Sequence, residues 1–271
     1  ALITDMPAPA TADEDDFTLA GKRALVTGTS RGLGLQMATA LARAGADLVI
    51  TSRTLDSLAG PKRELEALGR QVVPLALDLR DEASIRAAAE AAGLIDILVN
   101  NGGCNIRKPA LEVTWDDWDT IIDTNLKGSF FMTQAVLPGM TDRGWGRVIM
   151  IGSCTSLFGF PGLAPYTASR GGIRQLTMSL ASEFGPQGVT VNCLAPGWFR
   201  TAQNDVLYRD AEWLESIVSR TPLRRPGRAD DLDGAVVFLA SDASRFVTGQ
   251  TLMVDGGFTT GEARALPQPA G

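Results

Sequence analysis

The chain has 271 residues, of which 45% are apolar and 21% charged, so it can bury a sizeable core and is not a disordered tract. Its 31 acidic residues outnumber 25 basic ones for a net charge of −6, which argues against nucleic acid as a partner, because that affinity rests on clustered lysine and arginine. There is no histidine, and the three cysteines, Cys104, Cys154 and Cys193, are far apart. A Ser-His-Asp triad, a histidine base, histidine-containing metal sites, a thiolate zinc site and a disulfide scaffold are therefore excluded, and no metal is expected.

In chain order, residues 1–17 mix proline, alanine and acids without periodicity and lack the basic and apolar regions of a signal peptide. They read as a flexible N-terminal arm, residues 18–260 as one domain, and residues 261–271 as a C-terminal tail. No apolar run approaches the roughly 18 to 20 residues of a membrane span, so a cytoplasmic protein without a membrane partner is the default expectation. Nearly continuous apolar, β-branched runs occur at 23–28, 47–52, 71–77, 96–100, 147–152, 189–195 and 250–255. Such runs suit strands buried on both faces. Between them lie segments with helical spacing, first Leu35, Ala38 and Leu41, then Leu55, Leu58, Leu65 and Leu68. Alternation of this kind along the whole chain predicts an α/β fold, a doubly wound parallel sheet of seven strands with helices on both faces and right-handed crossovers.

The first strand runs into Gly28-Thr29-Ser30-Arg31-Gly32-Leu33-Gly34, and a helical pattern follows. Glycines at 28, 32 and 34 permit a tight turn, close approach of backbone to a ligand, and close packing of helix on strand. The helix N-terminus would then offer N–H groups and a positive dipole end to a pyrophosphate. At the first strand–helix junction of an alternating chain, this makes a single-domain Rossmann fold with a nucleotide site the expectation.

The glycine spacing resembles that of the short-chain dehydrogenase/reductase family, and further matches follow in order over roughly residues 18 to 258. Asn100-Asn101-Gly102-Gly103 follows the fourth strand, where the family usually has Asn-Asn-Ala-Gly. Asn125 lies in an Asp-Thr-Asn-Leu segment, Ser153 ends the fifth strand, Tyr166 opens a Tyr-x-x-x-Arg motif, Pro196-Gly197 follows the sixth strand, and Val254-Asp255-Gly256-Gly257 matches the last strand. Within the family, the opening of the domain and the pattern around Ser153 are most similar to gluconate 5-dehydrogenase-type and other sugar or keto-acid reductases.

The second predicted strand ends in Thr51-Ser52-Arg53, without the carboxylate that a site choosing NAD usually places against the adenine ribose. Arg53 and Arg31 would suit the 2′-phosphate of NADP(H), which is the expected cofactor, with NAD(H) as the alternative. The resemblance implies that Asp78 and Leu79 lie by the adenine and Asn100 and Gly102 by the adjoining ribose. It also implies that Pro196, Gly197 and Trp198 turn beneath the nicotinamide and that Thr201 bonds the carboxamide or pyrophosphate.

Transfer of hydride to a ketone leaves an alkoxide to be protonated, and the reverse reaction removes the alcohol proton. A tyrosine of ordinary pKa near 10 does this only when a neighbouring cation assists. Tyr166 and Arg170, four apart, would share a helix face. Ser153 would hold the substrate oxygen, and the resemblance assigns Asn125 to a water chain. The resemblance also places Tyr166 and residue 170 against the cofactor: where the family has a lysine that bonds the nicotinamide ribose and relays protons, this chain has Arg170, which keeps the charge and the donors but is a poor proton carrier. Three readings stay open: an electrostatic partner in a working enzyme, a slowed enzyme, or a dinucleotide-binding protein without significant catalysis. Asn105, Arg107, Cys154, Phe158 and Trp198 are candidate substrate-pocket residues, and residues 199–228 correspond to a mobile lid in the family. The family also implies a homotetramer or homodimer acting on a small carbonyl or alcohol substrate.

Overall fold

The computed structural model of the chain describes residues 16–201 and 204–261. Seven parallel strands make one sheet in the order β3-β2-β1-β4-β5-β6-β7. They are β1 (Arg23–Val26), β2 (Asp47–Ser52), β3 (Val72–Ala76), β4 (Ile97–Asn100), β5 (Gly146–Ile151), β6 (Val189–Pro196) and β7 (Thr251–Val254). Each lies within a residue or two of its predicted run. The helices are α1 (Gly32–Arg43), α2 (Ala59–Glu66), α3 (Glu82–Ala92), α4 (Trp115–Ile122), α5 (Gly128–Arg143), α6 (Ala164–Phe184), α7 (Ala211–Arg220) and α8 (Asp233–Ala240).

The strands read as unbroken apolar runs because successive side chains serve two different cores. Ala24, Val26, Ile97, Val99, Ile149 and Ile151 pack with Met37 and Leu41 of α1 and with Val236 and Leu239 of α8. Their neighbours Leu25, Leu98, Val148 and Met150 pack on the other face with Ile85 of α3, Met132 of α5 and Ile173 of α6. Complete burial of one such side chain contributes about 1.5–3 kcal/mol, so a polar residue on either face would be destabilising. β1 has β2 on one side and β4 on the other. The order reverses there, and the crevice beyond the C-terminal ends of β1 and β4 is where open α/β sheets bind ligands.

Two expectations are corrected. Of the four leucines predicted to form one stripe, Leu58 and Leu65 are fully buried while Leu55 and Leu68 are 53% and 37% exposed. The helix is shorter than the stripe: Leu55 precedes it, and the chain turns away at Gly69 with φ +79°. Asp16 and Phe17, assigned to the arm, are exposed yet held against the domain. The Asp16 carbonyl accepts from the Ala243 N–H, its carboxylate pairs with Arg245 at 3.0 Å, and the Phe17 ring lies 6.5 Å from that of Phe238. Residues 1–15 of the predicted arm and 262–271 of the predicted tail lie outside the described residues. Among the described residues no helix is long and apolar enough to cross a membrane, and no group of His, Cys, Asp and Glu side chains could hold a metal ion.

Candidate active site

The glycine turn sits at the C-terminal end of β1. Gly28 and Gly32 have φ of +71° and +67°, the left-handed region that side chains with a Cβ disfavour. Gly34 is required for a different reason: a Cβ there would lie 2.3 Å from the Gly28 carbonyl oxygen and 2.4 Å from Asn101 Nδ2. The first turn of α1 has no acidic residue, and Arg31 before it caps the helix with no side-chain bond. Its N–H groups and positive dipole end are thus left for an external anion, a donor set that fits a pyrophosphate. Ser30 and Leu33 lie on this turn, half-buried, and Arg31 is exposed.

Asn101 holds the turn. Its Nδ2 donates to the carbonyls of Thr27 (2.9 Å) and Gly28 (3.1 Å), and the Gly102 N–H donates to Thr27 Oγ1 at 2.8 Å. Asn100, which the resemblance places near the cofactor ribose, precedes Asn101 in the sequence. The Asn100 side chain is buried against α5, where its Nδ2 donates to Thr133 Oγ1 at 2.8 Å. The Asn-Asn pair was visible, but strand geometry sends consecutive side chains to opposite faces, and only the register shows which one meets the turn. Leu79 fills the space beside Gly102: a Cβ on that glycine would come within 2.6 Å of Leu79 Cδ1. Asp78 is exposed, and its Oδ1 accepts from the Arg80 N–H within its own turn. Arg53 is exposed at the end of β2, and neither it nor Arg31 forms a hydrogen bond or ion pair with any described residue.

On the other side of the crevice, α6 carries the acid–base candidates. Tyr166 and Arg170 face each other, with the guanidinium carbon 5.0 Å from the centre of the Tyr166 ring. Arg170 is buried, and its Nη1 donates to the Ile151 carbonyl at 2.7 Å. A Cβ on Gly103 would lie 2.5 Å from Arg170 Nη2 and 3.1 Å from Asn125 Oδ1, so the bulkier arginine is accommodated against a glycine. Ser153, at the end of β5, accepts from the Thr155 N–H through its hydroxyl. Its turn is tied to α6 by Ser156, whose hydroxyl accepts from the Ser153 N–H and donates to the Arg170 carbonyl at 2.9 Å. Asn125 lies in a π-helical turn, residues Asp123–Lys127, between α4 and α5. Its amide is bonded to both backbone groups of Cys104 and donates to Ser169 Oγ, which in turn donates to the Tyr166 carbonyl at 2.7 Å. Asn125 thereby locks the loop after β4 to the helix bearing Tyr166.

Of the predicted substrate residues, Arg107 has the Tyr166 phenol as a neighbour. Arg107 lies on the loop after β4, anchored where the Lys108 N–H donates to the Gly162 carbonyl and the Lys108 amine pairs with Asp117 at 2.6 Å. Partial dehydration lowers the Arg107 pKa, opposed by the neighbouring Tyr166 and Tyr208 phenols. Burial pushes the Cys154 thiol up to about 11, so it remains protonated near neutral pH and offers no thiolate. Asn105 Oδ1 is buried without a hydrogen-bond partner. Pro196 ends β6, and the Gly197 N–H donates to the Val254 carbonyl at 2.9 Å. Trp198 packs edge-on against Phe160, Trp213 and Phe258, and Phe158 packs against Phe258. Thr201 is turned inward, its N–H and hydroxyl both donating to Asn204 Oδ1.

Residues 28–259 match a family model described as enoyl-(acyl carrier protein) reductase. A gluconate 5-dehydrogenase of Gluconobacter oxydans (strain 621H) is 43% identical, over 90% of this chain and 97% of that one. A 5-keto-D-gluconate 5-reductase of Escherichia coli (strain K12) is 37% identical over 90% of this chain and 97% of its own. The crystal structure of a gluconate 5-dehydrogenase from Burkholderia cenocepacia J2315, in complex with NADP and tartrate, superposes with a TM-score of 0.88 at 42% identity, covering 91% of this chain and 98% of that one.

Proposed function

The chain belongs to the short-chain dehydrogenase/reductase family, and from that premise we propose that it interconverts a secondary alcohol and a ketone on a sugar acid, using NADP(H). The observation that carries the reading is the face of α6 on which Tyr166 and Arg170 meet, bonded to the turn of Ser153 and opening beside the glycine turn. The nicotinamide, when bound, supplies or accepts the hydride. Tyr166 donates a proton to the nascent alkoxide in reduction and removes it in oxidation. Ser153 holds the reacting oxygen by a hydrogen bond. Arg170 supplies a fixed positive charge beside the phenol ring, while Asn125 keeps the loop and the helix in register. The names of the relatives supply the substrate class, and Arg107 is a cation suited to it.

The test is to follow the absorbance of reduced nicotinamide when the protein meets NADPH and 5-keto-D-gluconate, and NADP with gluconate. Substrate-dependent change is expected in both directions. Stable absorbance across a panel of keto acids, ketohexoses and simple ketones overturns the enzyme reading. It would favour the second one, a weakened or inactive dinucleotide-binding protein, which draws support from the engagement of Arg170 with the Ile151 carbonyl.

Selection of the phosphorylated cofactor is assigned to Arg53, at the end of β2 where Thr51-Ser52-Arg53 holds no carboxylate, and to Arg31 on the glycine turn. A hydrogen bond to a charged group contributes about 1.5–3 kcal/mol. Arg53→Ala is therefore expected to raise the KM for NADPH by about 10- to 100-fold and to leave that for NADH within about twofold. Equal effects on both cofactors would remove Arg53 from recognition of the 2′-phosphate. The family resemblance supports a homotetramer or homodimer, and the apolar groove along Ile122, Leu126, Phe130 and Leu176 is a surface such an assembly would cover.

A further inference from the structure

The segment following Trp198 is tied by a parallel bridge between Phe199 and Gly227 and by a run of aromatic contacts. The Tyr208 ring meets Trp213 edge-on at 5.1 Å, Trp213 meets Trp198 at 5.3 Å, and Trp198 meets Phe160 at 5.1 Å. Phe160 lies in the loop that begins at Ser153, so these rings join the segment to the catalytic side of the crevice. Within this apolar cluster, two buried polar atoms have no hydrogen-bond partner among the described residues: the Tyr208 hydroxyl and Trp198 Nε1. Tyr208 as a whole is only 6% exposed. A buried polar group left unsatisfied costs about 1–3 kcal/mol, and native proteins rarely keep one without a ligand or ordered water to meet it.

The charged neighbours of the Tyr208 phenol are Arg107 and Arg200, with the Cys154 thiol close by. Arg200 is already paired with Asp205 at 2.6 Å. Arg107 forms no hydrogen bond or ion pair with any described residue, and its other neighbour is the Tyr166 phenol. Burial raises the Tyr208 pKa, so its hydroxyl retains its proton as a donor. Guanidinium and indole N–H groups can only donate. Unsatisfied donors beside a guanidinium favour a ligand group that accepts and carries negative charge, and on a sugar acid that group is the carboxylate.

We propose that Tyr208 is a specificity-determining residue: its hydroxyl donates a hydrogen bond to the carboxylate of the substrate, beside the charge of Arg107. The hydrogen bond removes the orphaned hydroxyl and docks the aromatic segment onto acid substrates. This rests on the reading of the protein as a sugar-acid oxidoreductase, and it adds the group that reads the acid.

The experiment compares wild type and Tyr208→Phe, each with NADPH, on 5-keto-D-gluconate and on an uncharged ketohexose. Phenylalanine keeps the ring against Trp213, so the thermal midpoint is expected to stay within a few degrees. The KM for the keto acid should rise about 10- to 100-fold, the magnitude of a hydrogen bond to a charged group, with kcat within about twofold. The KM for the uncharged ketone should not move by more than twofold. An unchanged KM for the acid overturns the proposal. So does an equal rise for both substrates, because the residue would then position the lid and not read the carboxylate. A wild-type protein that reduces no keto acid overturns the substrate reading itself, and that outcome is read before any variant is made.

Discussion

Replacing Tyr166 with phenylalanine is expected to lower kcat by about 100- to 10,000-fold, the range supplied by a positioned proton donor or acceptor. NADPH affinity should change little, because the glycine turn and α1 that would hold the pyrophosphate lie on the opposite side of the crevice. The ring occupies the same volume in either variant, and Arg170 keeps its carbonyl bond to Ile151, so lost packing would not account for the defect. Arg170→Lys supplies the contrast. Lysine retains the positive charge and restores the residue type of the family motif, so turnover should be maintained or rise. Its shorter head relinquishes the bond to Ile151 and the contact with Gly103, and a modest loss of thermal stability should accompany that gain. Steady-state kinetics and a melting curve on the same samples decide the matter. A fast Tyr166→Phe enzyme removes the phenol from the chemistry, and a dead Arg170→Lys enzyme removes the simple electrostatic role of Arg170.

Gly34→Ala is expected to abolish tight cofactor binding. The added methyl would sit 2.3 Å from the Gly28 carbonyl and 2.4 Å from Asn101 Nδ2, both of which are fixed by the hydrogen bonds that define the turn. Relief requires α1 to move away from β1, which misplaces the N–H groups facing the phosphates and loosens the Met37 and Leu41 packing below. Overpacking of this kind costs about 1–3 kcal/mol of stability. The dissociation constant for NADPH, measured by fluorescence titration, should rise by more than about 100-fold, since a backbone displacement affects several charged hydrogen bonds at once. Gly32→Ala is the informative companion. A Cβ at Gly32 meets nothing within 4 Å, although φ is +67°, so it should show only the left-handed backbone penalty of about 1–2 kcal/mol. Equal binding by the Gly34 variant and wild type would mean that the turn is not the phosphate cradle.

The helix that fell short of its pattern shows where periodicity loses its force. Leu55 and Leu68 continue the spacing of Leu58 and Leu65, yet the chain leaves the helix before it reaches Leu68, and both end leucines stay partly exposed. A repeat of leucines states which residues would share a face if the helix ran on. It does not say where tertiary contacts stop rewarding that helix. The acid–base pair was more legible, since a four-residue spacing and a single face are intrinsic to any α-helix.

From the sequence alone followed the strand–helix alternation, the seven strands, the glycine turn and the family motifs, because each depends on local periodicity or on residues whose conformational freedom is unusual; the edge strands β3 and β7 are less buried than their apolar runs implied. The partnership of Asn101 with the glycine turn, the contact of Arg170 with Gly103 and the burial of the Tyr208 hydroxyl were decided only by the tertiary structure. Each joins segments tens of residues apart, and whether a side chain meets such a partner depends on strand register and helix rotation, which the packing of the two cores sets across the whole sheet.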